Sequence, residues 1–192
     1  MATIARKTTE TDIRIVWDLD GSGKSQIATG IPFFDHMLTL FTAHGFFDLT
    51  VDASGDIDVD FHHTVEDVGL AMGDALTRAL GDRKGIRRFG HVVTPMDETL
   101  SAVTVDLSNR PYLVFNVPTE GRDGRFFDTA LAKEFFRAFA MRAGITLHIN
   151  LSYGENDHHI IESIFKSAGR ALDQASGTDD RISGVRSTKG TL

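Results

Sequence analysis

The sequence contains the pattern His-His-x-x-Glu twice, at residues 62–66 and at residues 158–162, with an offset of 96 positions in a chain of 192 residues. Each copy opens a stretch of helical hydrophobic periodicity that runs on to an Ala-Leu pair, at residues 75–76 and 171–172. Because the offset is half of the chain, the pattern predicts an internal repeat and a fold built from two similar halves.

A second match supports the repeat. Glu10 precedes a threonine and Asp18 precedes a leucine, and 88 residues later Glu98 and Asp106 stand in the same two contexts. The offsets of 96 and 88 differ by eight residues, as insertions and deletions in surface loops produce. The repeat therefore extends over most of each half.

Hydrophobic periodicity predicts a similar order of elements in both halves. In the first half, strands are expected at residues 13–19, 26–28, 47–51 and 57–61, and helices at residues 32–44 and 65–80. In the second half, strands are expected at residues 100–107, 111–117 and 145–151, and helices at residues 129–143 and 158–174. Residues 176–192 are polar and glycine-rich, which is typical of a frayed end.

We therefore predict an α+β fold of two pseudo-repeated β-β-α-β-α halves, with an extra strand in the first half. The sheets are expected to pack against a central layer of helices. Residues 1–92 form the first half and residues 93–192 the second, within one integrated catalytic domain.

Composition excludes several classes of protein. The absence of cysteine excludes disulfides, thiolate metal sites and cysteine nucleophiles. The net charge of −7 argues against nucleic acid or an acidic membrane surface as a partner. No apolar run is long enough to span a bilayer, and the first ten residues lack the apolar region of a secretory signal. We expect a cytoplasmic protein.

The repeated motif has the spacing of a metal site. Positions i and i+4 of a helix lie on one face, so His62 and Glu66 can bind one ion while His63 points elsewhere. The same holds for His158 and Glu162, with His159 pointing away. A pseudo-twofold arrangement then pairs the motifs crosswise, His159 joining the first pair and His63 the second. Imidazole and carboxylate ligands without sulfur favour Mn, Fe or Zn.

Two further residues are candidate ligands. His36 lies 26 residues before His62, and Glu134 lies 24 residues before His158, each on the preceding predicted helix. Either can complete a set of four protein ligands, although Glu134 can also be an exposed helix carboxylate. Four protein ligands leave about two positions open on an octahedral ion, which indicates catalysis rather than a closed structural site.

Cations outside the motifs are candidate phosphate ligands. Arg88 and Arg110 stand at predicted strand edges or turns, and Ser187, Thr188 and Lys189 lie in the polar end of the chain. Guanidinium forks and a Ser/Lys turn suit phosphate, although each residue taken singly is also a common surface residue.

Two repeat-related acids are candidate proton carriers. Glu10 and Glu98 precede matching strands, and each can be a general acid or base or an exposed carboxylate at a strand end.

Taken together, these motifs resemble the imidazoleglycerol-phosphate dehydratase family of histidine biosynthesis. The resemblance covers essentially the whole chain and rests on residues 29–38, 62–69, 96–98, 106–111, 156–162, 165–166 and 187–190. It implies a metal-dependent hydro-lyase that converts D-erythro-imidazoleglycerol phosphate to imidazoleacetol phosphate. It also implies two Mn²⁺ ions per active site, with other divalent metals possible, and a closed homo-oligomer of roughly 24 subunits whose sites lie at subunit interfaces.

The resemblance further assigns roles to residues. One metal takes His36, His63, His158 and Glu162. The other takes His62, Glu66 and His159, and the remaining ligand position, often His in the family, is Glu134 here. The substrate phosphate lies near Arg88, Arg110, Ser187 and Lys189, and Glu10 contacts the substrate as a proton carrier.

Two other functions remain open at the level of the residues. A dimetal phosphatase also combines carboxylate–histidine centres with nearby cations, and it would release inorganic phosphate rather than a ketone. A metal-storage or structural protein would bind metal without turnover.

Overall fold

The computed structural model describes residues 1–119 and 127–192. Eight strands and four helices are found there. The first half contains β1 (Ala2–Lys7), β2 (Thr11–Asp18), β3 (Ser25–Ala28), α1 (Pro32–His44), β4 (Asp48–Gly55) and α2 (His62–Leu80). The second half contains β5 (Phe89–Met96), β6 (Thr99–Asp106), β7 (Tyr112–Asn116), α3 (Thr129–Ala143), β8 (Thr146–Tyr153) and α4 (Asp157–Ser176). The predicted α+β fold with two repeated halves is confirmed.

The two four-stranded sheets have the same topology. The first has the order β1-β2-β4-β3 and the second the order β5-β6-β8-β7. In each sheet three strands are antiparallel, and the short edge strand is parallel to its neighbour. Identical strand order in both sheets is the structural form of the sequence repeat.

The core lies between the sheets and the helices, and the helices of the two halves pack on each other. Helix α2 packs on β1, β2 and α3, while α4 packs on β5, β6 and α1. Gly73 lets α2 approach α3 closely, since a Cβ there would lie 2.8 Å from the Phe139 carbonyl oxygen. The buried Trp17 of the first sheet contacts Phe41 of α1 and Phe139 of α3. These contacts bind the halves into one core and fix the starts of α2 and α4 relative to α1 and α3.

Each half has the order β-β-β-α-β-α, so the predicted order β-β-α-β-α and the extra strand in the first half are wrong. Three local differences account for this. Strand β1 and strand β5 were not expected, because charged or exposed residues interrupt their apolar pattern. Residues 57–61 form turns instead of a strand: the amide of Val59 donates to the Asp56 carbonyl, and Val59 is exposed. The division of the chain after residue 92 stays a prediction, and β5 runs across that position.

The end of the chain, residues 177–192, is the C-terminal tail, and it is docked rather than frayed. The Gly85 amide donates to the Gly184 carbonyl, and the guanidinium of Arg88 donates to the Arg186 carbonyl at 2.7 Å. The tail therefore lies against the segment that leads into β5. Among the described residues, no helix has both the length and the hydropathy of a membrane span.

Candidate metal and substrate site

The two repeated motifs lie at the first turns of α2 and α4. Asp60 accepts a hydrogen bond from the His62 amide at 2.8 Å, and Asn156 accepts one from the His158 amide at 2.9 Å. Both bonds satisfy a first-turn amide that the helix leaves without an internal partner, and Asn156 is also the N-cap residue of α4. Both motifs are thus held as first turns, so the i and i+4 side chains share a face.

One group of donors joins α1 to α4. In this α1/α4 cluster, His158 Nε2 lies 3.0 Å and His36 Nε2 lies 3.7 Å from Glu162 Oε2. Glu162 is buried, whereas both imidazoles are half exposed. Lys166, one turn further along α4, places its ammonium 2.6 Å from the other Glu162 oxygen. Burial raises the pKa of the Glu162 carboxyl, but the Lys166 and His158 contacts outweigh it and hold that pKa below its ordinary value.

A second group joins α2 to α3. In this α2/α3 cluster, His62 Nε2 lies 3.7 Å from Glu66 Oε2, and Glu134 contributes a further carboxylate. Arg137 spans the two acids, with Nη2 3.1 Å from Glu66 Oε1 and 2.5 Å from Glu134 Oε2. The sequence-predicted residue Glu134 therefore lies beside the first motif.

Both clusters have the chemistry and spacing of a divalent metal site. In each, three donor atoms from three side chains lie within 4.8 Å of one another. Two ligands that hold one ion at about 2.2 Å lie at most about 4.4 Å apart, so small side-chain adjustments suffice. Imidazole nitrogen with carboxylate oxygen, and no sulfur, suits Mn, Fe or Zn.

The second histidine of each motif points away from these clusters. His63 Nδ1 lies 2.9 Å from Asp56 Oδ2, and His159 Nδ1 lies 2.7 Å from Glu98 Oε2. The hydrogen bond that His63 donates to Asp56 raises the pKa of His63, and the bond that His159 donates to Glu98 raises the pKa of His159. Within one chain, the structure thus brings together three of the four ligands in each set implied by the resemblance.

The repeat-related acids Glu10 and Glu98 have different surroundings. Glu98 is held by His159 and by two backbone amides, and its hydrogen bond with His159 is the main reason that its pKa falls to about 2. Glu10 is half exposed, and its carboxylate lies 3.8 Å from His63 Nδ1. Glu10 is therefore free to contact a bound molecule.

A partly buried ion pair positions the turn that carries Glu10. Asp67 of α2 accepts hydrogen bonds from Arg6 at 2.8 Å and from the Thr11 hydroxyl at 2.5 Å. Arg6 and Thr11 flank the β1–β2 turn on either side. Asp67, which the sequence analysis did not single out, thus fixes that turn against the helix of the first motif.

The five predicted phosphate ligands line one cavity of about 680 Å³: Arg88, Arg110, Ser187, Thr188 and Lys189. Asp106 accepts hydrogen bonds from Arg88 Nε at 2.7 Å and Nη2 at 3.0 Å, and its Oδ2 lies 3.6 Å from Arg110 Nη2. Two guanidiniums, a lysine and two hydroxyls in one concave surface suit an oxyanion. The docked tail supplies three of these five residues.

Three residues that support the site were given no role from the sequence. Arg137 and Lys166 neutralise cluster carboxylates, and Lys166 had a signal, since it stands at i+4 from Glu162 on the same helix. Asp56 had none, because its contact with His63 depends on the path of the loop before α2.

Comparisons with known proteins agree on one family. The model of the family described as imidazoleglycerol-phosphate dehydratase matches residues 29–172. A protein of that name from Desulfosudis oleivorans is 62% identical over 191 residues, covering 100% of this chain and 98% of the relative. One from Syntrophobacter fumaroxidans is 59% identical, covering 99% of this chain and 96% of the relative.

Solved structures give the same result. The imidazoleglycerol-phosphate dehydratase of Staphylococcus aureus superposes with a TM-score of 0.80 at 43% identity, covering 93% of this chain and 99% of that one. The enzyme of Pyrococcus furiosus, solved in complex with (S)-C348, superposes with a TM-score of 0.84 at 37% identity, covering 98% of this chain and 100% of that one.

Proposed function

The chain belongs to the imidazoleglycerol-phosphate dehydratase family and is a hydro-lyase of histidine biosynthesis, and from this premise we propose that it acts as a dehydratase dependent on two divalent metal ions per active site. The substrate is D-erythro-imidazoleglycerol phosphate and the product imidazoleacetol phosphate. The observation that supports metal dependence is the pair of imidazole–carboxylate clusters at the repeated helix starts. Mn²⁺ is the proposed ion, and other divalent metals fit the same donors.

Each metal is proposed to have ligands from two copies of the chain. The α1/α4 cluster receives His63 of another copy as its fourth ligand, and the α2/α3 cluster receives His159 in the same way. The support is geometric: within one chain these two imidazoles contact Asp56 and Glu98 instead of the clusters. A closed homo-oligomer of roughly 24 subunits with interfacial sites is the corresponding assembly.

The bound ions supply Lewis acidity toward the substrate's imidazole ring, which favours loss of the neighbouring hydroxyl. The side chains of the protein bind the substrate and move its proton. The phosphate is held in the cavity of Arg88, Arg110 and the tail residues, which places the ring at a fixed distance from that anchor. Glu10 takes up or delivers the proton at the reacting carbon, because it is exposed and is not held by strong partners.

A cytoplasmic location and a small phosphorylated imidazole as the partner, rather than nucleic acid or membrane, belong to the same proposal. The net charge of −7 disfavours a polyanion, while the cationic cavity suits one small phosphate.

Incubation with imidazoleglycerol phosphate is expected to yield a ketone and no inorganic phosphate. Removal of divalent metal with a chelator should abolish turnover, and added Mn²⁺ should restore it. Both product and free phosphate are measured in the same samples. Release of phosphate would favour a dimetal phosphatase, and metal binding without any product would favour a storage protein.

Removing the residues after Ile182 should impair substrate binding, because the shortened chain lacks Ser187, Thr188 and Lys189. A charge-assisted hydrogen bond contributes about 1.5–3 kcal/mol, so KM should rise at least about tenfold. Lys189→Met should reproduce part of the rise, and Lys84→Met, which removes an exposed lysine that pairs with Asp82, is its control. An unchanged KM in the truncated protein would show that the tail holds no phosphate.

A further inference from the structure

Glu98 uses its two carboxylate oxygens for different partners. Oε2 lies 2.7 Å from His159 Nδ1. Oε1 accepts from the amides of Glu155 and Asn156, at 3.3 and 3.0 Å, and from the Thr99 hydroxyl at 3.0 Å. Because all the partners of Oε1 are donors, the orientation of the carboxylate is fixed, and Oε2 is the oxygen that faces the imidazole.

An ionised carboxylate can only accept hydrogen bonds, so Nδ1 of His159 carries a proton. In the neutral ring, the lone pair then lies on Nε2, the nitrogen on the opposite side. A carboxylate on one ring nitrogen is a recurrent means of orienting a histidine whose other nitrogen binds a metal. His63 has the same arrangement, with Nδ1 against Asp56 Oδ2 at 2.9 Å.

We propose that Glu98 and Asp56 are positioning residues that fix the tautomer and direction of His159 and His63, so that each presents Nε2 to a metal held by another copy of the chain. The inference rests on the proposed function, since it concerns the ligands of the proposed metals. It assigns Glu98 a role different from that of its repeat counterpart Glu10.

The two halves achieve the same arrangement with carboxylates from unrelated positions. Asp56 lies in the loop before α2, whereas Glu98 lies in the β5–β6 turn, at the position that Glu10 occupies in the first half. Since Asp56 serves His63, Glu10 is left free beside it. One half thus keeps a glutamate for the substrate, while the other uses the equivalent glutamate for a ligand.

Glu98→Gln separates tautomer control from a structural role. If the amide oxygen of the new glutamine accepts the three hydrogen bonds that Oε1 accepts in the unaltered protein, its NH₂ group faces His159 Nδ1. That nitrogen must then accept, and the proton moves to Nε2, which can no longer bind a metal. Glu98→Ala removes the loop contacts but leaves the imidazole free to choose its tautomer. The glutamine variant should therefore fold better than the alanine variant but bind metal more weakly. If Glu98 had a purely structural role, the alanine variant would bind metal more weakly.

The test titrates the full-length protein in its native assembly with Mn²⁺ alone and follows the free ion by electron paramagnetic resonance. The unaltered protein should bind two ions per chain. Glu98→Gln should keep one of them and lose affinity for the other by about 10–100-fold, the usual effect of removing such a partner. Glu155→Gln is the matched control, because Glu155 is exposed and contributes only its backbone amide to the Glu98 contact. It should bind both ions normally.

Asp56→Asn should have the milder effect of the two amide variants. Among the described residues, Asp56 Oδ1 is buried and without a hydrogen-bond partner, so an asparagine can turn its oxygen toward His63. Equal Mn²⁺ affinity in Glu98→Gln and in the unaltered protein would overturn the inference, as would weaker binding by Glu98→Ala than by Glu98→Gln. Failure of the unaltered protein to bind Mn²⁺ would instead overturn the metal part of the proposed function.

Discussion

Glu162→Gln is expected to abolish measurable turnover and to reduce the Mn²⁺ content of the purified protein by half. Within the described part of the chain, the Glu162 carboxylate is the one anionic donor of the α1/α4 cluster, and it lies 2.6 Å from the Lys166 ammonium. Once the side chain is neutral, Lys166 leaves an uncompensated positive charge beside two imidazoles, which disfavours a divalent cation. A catalytic ion supplies several kcal/mol to the transition state, so turnover should fall by at least about a thousandfold.

Glu66→Gln should have the same consequence at the α2/α3 cluster, with Arg137 in the place of Lys166. The matched control is Glu155→Gln, which removes an exposed carboxylate just before α4 and should leave both turnover and metal content unchanged. Turnover is measured with imidazoleglycerol phosphate, and metal by elemental analysis after gel filtration. Normal turnover in either cluster variant would contradict the assignment of these glutamates as metal ligands.

The helix starts show which parts of the site the sequence could predict. A helix fixes the geometry between positions i and i+4, so two copies of His-His-x-x-Glu sufficed to place His62 with Glu66 and His158 with Glu162. The candidate ligands on the preceding helices could also be predicted, because Glu134 stands at nearly the same distance before its motif as His36 does. The structure brings both residues to a cluster.

Contacts that depend on the path of a loop could not be predicted from the sequence. Apolar residues alternate with aspartates over residues 57–61, a period-two pattern that also fits a strand. In the structure the Asp60 carboxylate instead accepts from the His62 amide, and the Asp56 carboxylate contacts His63. The C-terminal tail has no periodicity, since backbone and guanidinium hydrogen bonds to residues 85–88 dock it in place of an apolar face. Periodicity reports burial on a regular element, and neither segment is one.

Glu10→Gln should lower kcat by about 10²–10⁴-fold with little change in KM or in Mn²⁺ binding, because general acid–base groups contribute on this scale and the amide cannot carry a proton. Asp67 holds the β1–β2 turn in place through its hydrogen bonds with Arg6 and Thr11. The backbone at residue 10 should therefore keep its position in the variant. Asp12→Asn is the matched control, since Asp12 lies on the same hairpin, is exposed and pairs with Lys7.

A second measurement identifies the step that Glu10 serves. Substrate carrying deuterium at the carbon that loses its proton should show a larger isotope effect on kcat with Glu10→Gln than with the unaltered enzyme, because proton transfer then limits turnover. A normal kcat in the glutamine variant would show that another group carries out the proton transfer. Glu98, the repeat counterpart, is a poor candidate for that role, since a carboxyl with a pKa of about 2, held by an imidazole and two amides, gives up and regains its proton far from neutral pH. In the proposed mechanism, the asymmetry between these two glutamates, at equivalent positions of a duplicated fold, lets one half orient a ligand while the other moves the proton.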